Sequence, residues 1–210
     1  MRRGTVLNLR RFKLLEMLKN NKILVLLCVC FSLGIIIGTV VYSFESDAVI
    51  KMASNRFERF TDIRINGTFG SVFISSLFSL LLFLIAVYIS GTSMLGIVLV
   101  PLIVFFRGFY DGSLSAFLYS EFQLKGIALN AVLIIPPSIL FIIGFIYASQ
   151  QSINFSWTIA RLTLPHTSPI NLFLYFKSYC THYSLILITV LLSALTDAAV
   201  SRFFLPFFQI

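Results

Sequence analysis

Few residues in this chain could do chemistry, and their spacing limits what that chemistry could be. His166 and His182 stand sixteen residues apart with no carboxylate at ligand spacing, which is not the pattern of a zinc site. Asp111 and Asp197 are the acids nearest membrane depth, and neither lies in the Gly-rich setting that paired catalytic aspartates of intramembrane proteases occupy. Cys28, Cys30 and Cys180 all fall in apolar runs, where thiols behave as small hydrophobes. No Gly-rich phosphate loop with its lysine and hydroxyl is present. These residues predict no enzyme, no metal centre and no cofactor. What they leave is one oddity, the stretch FFRGFYDG, in which Arg107 and Asp111 stand one helical turn apart in greasy surroundings. An ionisable group inside a span is expensive and faces the bundle interior, a partner or water. The alternative is that Arg107 snorkels and the pair simply neutralises itself.

The composition says what kind of element must position these groups. The chain of 210 residues is 58% hydrophobic and only 11% charged, against roughly 25% charged in soluble domains. It reads as an all-α, polytopic membrane protein, too short to carry a sizeable soluble domain as well. Seven of the sixteen Lys and Arg lie within residues 1–22. That basic juxtamembrane segment is expected on the cytoplasmic side, against anionic lipid, and not on nucleic acid.

Residues 23–210 then form a single transmembrane domain of about five helices. Residues 23–44 carry no charge, which at about 1.5 Å per residue spans a hydrocarbon core of about 30 Å. The run is too long for a signal peptide and no small-residue cleavage site follows it. Residues 45–66 mix four acids with four bases, and Phe57, Phe60 and Ile63 recur every third residue. This pattern predicts a short extracytoplasmic helix lying on the membrane with its aromatic edge buried. Further spans are expected at about 70–90, 93–120, 127–149 and 178–200, with a tight cytoplasmic turn at Gly91-Thr-Ser-Met-Leu-Gly96. A third helix that dips and returns would invert every later side. Pro136 and Pro137 should kink or break the fourth span. Residues 154–177 read as a segment in the cytoplasmic interface.

Glycine spacing adds a packing signal. Gly34 with Gly38, and Gly108 with Gly112, are both G-x-x-x-G, which lets helix backbones approach closely. The second copy is expected to pack within the chain, and the first is open as a homodimer contact.

Taken together, these residues resemble the stage II sporulation protein M family of integral membrane proteins. The likeness covers nearly all of residues 23–160. It rests on Gly34 and Gly38 in the first span, the Phe-rich outer helix, Gly91-x-Ser93-x-x-Gly96, Phe106-Arg107-Gly108 with Gly112, Lys125-Gly126, and the mid-span Pro136. Asp111 stands where the family pattern has an apolar residue, so it reads as a local counter-charge for Arg107. The resemblance implies a multi-pass membrane protein acting in forespore engulfment, located in the engulfing septal membrane. Its implied partners are two peptidoglycan-degrading enzymes, stage II sporulation proteins D and P. On this basis the chain is expected to be a scaffold for cell-wall hydrolases, with Phe57, Phe60 and the lateral faces of the spans as partner surface. A permease-like subunit, and least of all an intramembrane enzyme, are the rivals.

Overall fold

The computed structural model describes residues 22–44, 47–162 and 172–204. The basic segment before Lys22 and His166 lie outside them. Every element among the described residues is helical: α1 (Lys22–Ser43), α2 (Asp47–Asn66), α3 (Phe69–Gly91), α4 (Gly96–Leu129), a π-helical turn (Asn130–Ile134), α5 (Ile135–Leu162) and α6 (Leu172–Phe204).

Among the described residues, four helical stretches are long and apolar enough to cross a membrane, and one of them, Gly96–Leu162, is 67 residues long. At about 1.5 Å per residue that is about 100 Å, far beyond a bilayer core. The chain resolves the excess by folding back at Gln123, whose φ of 48° and ψ of −125° interrupt α4. Contacts on both sides of the turn show the hairpin. Asn130 Nδ2 donates to Tyr119 Oη at 2.6 Å, and at the far end Ser156 Oγ donates to the carbonyl of Ser93 at 2.7 Å. A Cβ on Gly126 would collide with the Leu118 carbonyl, so glycine is what lets the returning arm pass.

The two prolines do not break the fourth span. They supply no N–H to the carbonyls one turn earlier, and the helix widens into the π turn just before them, where the N–H of Ile135 bonds the carbonyl of Asn130. Ser193 Oγ on α6 then donates to the Pro137 carbonyl at 2.7 Å. Residues 154–162, expected in an interfacial segment, instead continue α5. Phe155 and Ser156 are buried there, and Ser156 caps the turn between α3 and α4, so packing holds the helix beyond the point where its hydropathy falls.

The most extensive interface joins α1 to α4. Gly34 lies against the backbone of Phe105 and Phe109, and Gly38 against Phe109; in return Gly108 lies against Phe31 and Gly112 against Ile35. The two G-x-x-x-G motifs are therefore mated to each other, in parallel. Thr39 Oγ1 adds a bond of 2.9 Å to the carbonyl of Ile35 within its own helix. The first motif, open on sequence grounds as a dimer contact, is covered by the chain itself. Apolar side chains have no preference for one another over lipid tails, so close backbone approach is what holds such helices together. Consistent with lipid as the surrounding solvent, Ile36, Ile74 and Val98 face outward while Val87, Val100, Phe141 and Phe145 fill the interior.

Gly34→Val should push α1 off α4 and cost at least about 2 kcal/mol, read as a lower unfolding midpoint in detergent. Gly70→Ala is the control, because its Cβ would meet only Thr68 Oγ1 at 4.0 Å; it should be neutral. Gln123→Gly should stabilise by about 1 kcal/mol, since glycine adopts that backbone without strain.

Candidate functional site

Helix α2 is amphipathic, and its inward face is built on a spacing of four: Arg56, Phe60 and Arg64. Phe57 beside them is 8% exposed, packed on Phe117 and Phe122 of α4 at ring-centroid distances of 5.6 and 5.1 Å. Phe60 stacks on Phe57 and lies under the Arg64 guanidinium at 3.5 Å. The aromatic edge expected to sit in lipid thus faces the chain's own bundle. The helix is also 20 residues long, not short. As a partner surface Phe57 is therefore largely consumed.

The two arginines of this face reach two carboxylates on different helices. Arg56 Nη2 donates to Asp111 Oδ1 at 3.2 Å and Nη1 to the carbonyl of Tyr110 at 2.7 Å, with its guanidinium 3.5 Å from the Tyr110 ring centroid. The other oxygen of Asp111 accepts from Arg107 Nε at 3.1 Å. Arg107 is 3% exposed and lies 4.9 Å from the ring centroids of both Phe83 and Phe141. It faces the interior and does not snorkel. Asp111 neutralises it as the sequence suggests, yet serves Arg56 equally. Burial pulls the Arg56 guanidinium below the usual arginine range, opposed chiefly by the Asp111 carboxylate.

Two helical turns further along α2, Arg64 Nη2 pairs with Asp197 of α6, and Nε donates to Ser201 Oγ at 2.9 Å. Ser76 of α3 donates to the same Asp197 oxygen. The two intramembrane acids therefore do not form a dyad; each is held by arginine.

Between α2 and the spans lies a cavity of about 630 Å³. Arg56, Arg59, Arg64, Arg107 and Asp197 are in its wall. So are Ser75, Ser76 and Ser79 of α3, Ser138 of α5 and Ser193 of α6.

The opposite end of the bundle holds the other candidate residues. Ser93 Oγ donates to the Ser90 carbonyl at 3.0 Å, and Gly96 N–H closes the turn onto Ser93 at 3.1 Å. A Cβ on Gly91 would lie 2.6 Å from Ser152 Cβ. Ser152 in turn bonds Tyr179 and Tyr183 at 3.0 and 2.6 Å. Gly91, Ser93 and Gly96 thus serve a tight turn packed on α5, away from the cavity. Pro136 also sits outside the lining, although Pro137 is in it. His182 meets Tyr147 Oη through Nδ1 at 3.3 Å. Among the described residues no group of three metal-ligating side chains occurs.

Sequence reasoning passed over Arg56, Arg64, Ser76 and Asp197 as a set. A signal existed: two same-face arginines on the outer helix, Arg56 and Arg64, and two acids, Asp111 and Asp197, in otherwise apolar spans. Their pairing across 55 and 133 residues has no local trace.

Among the described residues, an all-helical body whose long apolar helices turn large hydrophobic side chains outward and bury Arg107 and Asp197 is that of an integral membrane protein. Within that class, the family model of stage II sporulation protein M matches residues 27–202. The chain belongs to that family. Among curated proteins and among solved structures, nothing matches at a significant level.

Asp111→Asn should leave two guanidiniums facing each other without a carboxylate and cost about 3 kcal/mol. Arg107→Met should cost less, because Asp111 keeps Arg56. Thermal unfolding of the purified variants in one detergent gives the order, and the reverse order would refute the bridge.

Proposed function

We propose that this protein is a multi-pass scaffold that holds peptidoglycan hydrolases at the membrane of the sporulating cell during engulfment, with stage II sporulation proteins D and P as partners. Family membership supports the sporulation setting. The observation that carries the scaffold role is helix α2. It is clamped to the bundle by Arg56 and Arg64, and its opposite face, with Lys51, Glu58 and Asp62, is left exposed. A docking platform needs this combination of fixed backbone and solvated charge, because a pre-ordered surface loses little entropy on binding.

In this proposal the five helical arms each cross the bilayer. The two arms of the hairpin at Gln123 count separately, and α4 runs about 40 Å from Gly96 before it turns. The basic residues before Lys22 keep the N-terminus in the cytoplasm. Helix α2 then lies on the outer side, where the cell wall and its hydrolases are. Asp111 and Asp197, each engaged by arginine, have structural duty in place of acid–base work.

A permease-like subunit is the second reading, and one observation favours it. The cavity reaches Arg107 and the widened helix at Leu133 and Ile134, and π turns often mark functional sites. A gene for an ATPase beside this one would raise it.

Glu58→Arg combined with Asp62→Arg inverts the outer face without touching the clamp. Under the scaffold proposal it should abolish co-purification of both hydrolases from sporulating cells while the protein accumulates normally. Undiminished recovery of the hydrolases would exclude α2 as the platform.

A further inference from the structure

The cavity under α2 is more basic than its own chain compensates. Four guanidiniums line it, while only Asp197 in the wall and Asp111 behind it oppose them. Arg56, Arg64 and Arg107 share those two carboxylates. Arg59 is exposed and makes no ion pair among the described residues. Unbalanced positive charge beside membrane spans is costly unless an anion joins it.

The hydroxyls point the same way. Ser75 and Ser79 lie one turn apart on α3 and Ser138 faces them from α5; all three line the cavity, and none makes a hydrogen bond among the described residues. Guanidiniums together with free hydroxyl donors are the chemistry that recognises phosphate oxygens. The mouth is of another character. Phe78 and Leu82, also in the lining and one turn apart on α3, are 64% and 54% exposed. Their apolar surface suits a lipid tail, whereas a freely soluble anion would gain nothing from it.

From this arrangement we propose that the cavity binds the phosphate headgroup of an anionic membrane lipid. The phosphate sits among Arg59, Ser79 and Ser138, and the acyl chains leave past Phe78 and Leu82. Its size accommodates a headgroup with a glycerol moiety. The lipid's phosphate would offset part of this excess positive charge and tie α2 to the spans by a third link beside the two arginine pairs. The inference is independent of the scaffold role, because it needs only the cavity and the bilayer.

The test uses the full chain purified in a neutral detergent, with the unfolding temperature followed as lipid is added to the micelles. Phosphatidylglycerol should raise it in a saturable way, and diacylglycerol, which has the same tails without phosphate, should not. The double variant Arg59→Gln, Ser138→Ala touches no ion pair of the fold and should weaken the phosphatidylglycerol response about tenfold or more. Equal shifts with both lipids, or an unchanged response in the variant, would overturn the site. A full shift with inorganic phosphate alone would overturn the lipid as its source. Retention of co-purified phosphatidylglycerol by the wild type and its loss from the variant, read by native mass spectrometry, is the second expected result, and equal retention would again refute the proposal.

Discussion

The carboxylate of Asp111 is the point on which the architecture turns. It accepts from Arg107 on its own helix and from Arg56 on α2, so one acid makes a buried guanidinium tolerable and fixes the outer helix in place. It also stands within the Gly108–Gly112 step that lies against α1. Charge neutralisation, helix docking and the placement of α2 thus converge within a single turn of α4.

Around that point the molecule uses two kinds of adhesion suited to lipid. One is the glycine seam, where α1 and α4 touch backbone to backbone because neither motif has side chains in the way. The other is polar bonding between helices. Ser193 reaches Pro137, Ser156 reaches the turn at Ser93, and Ser152 reaches two tyrosines. Greasy side chains fill the space but do not choose the partner, since lipid satisfies them as well. The polar bonds at the Gly91–Gly96 end close one end of the bundle. The arginine pairs at the α2 end hold a helix over a cavity instead, and this asymmetry gives the two ends different prospects for binding.

The irregular backbone positions follow the same logic. Gln123 takes a conformation that only glycine adopts easily, and it does so where the chain must reverse within a few residues. The π turn at Asn130–Ile134 absorbs the missing donors of two prolines and brings Leu133 and Ile134 to the cavity wall.

Much of this was legible in the residues alone. Low charge and long apolar runs dictated a helical membrane protein, because a bilayer admits no unsatisfied backbone. The spacing of glycines, the Arg107 step and the Gly91–Gly96 turn were enough to suggest the family. Local spacing also showed that Arg107 and Asp111 meet, since residues four apart on a helix must. Only the tertiary structure decided that the two glycine motifs mate with each other, that Phe57 and Phe60 turn inward, and that Arg56 and Arg64 find Asp111 and Asp197. The physical reason is range. Hydropathy and helical periodicity act over one or two turns and are written in adjacent residues. Which helix lies beside which depends on shape and charge meeting across 55 to 133 residues of chain, and a cavity exists only once those helices have met.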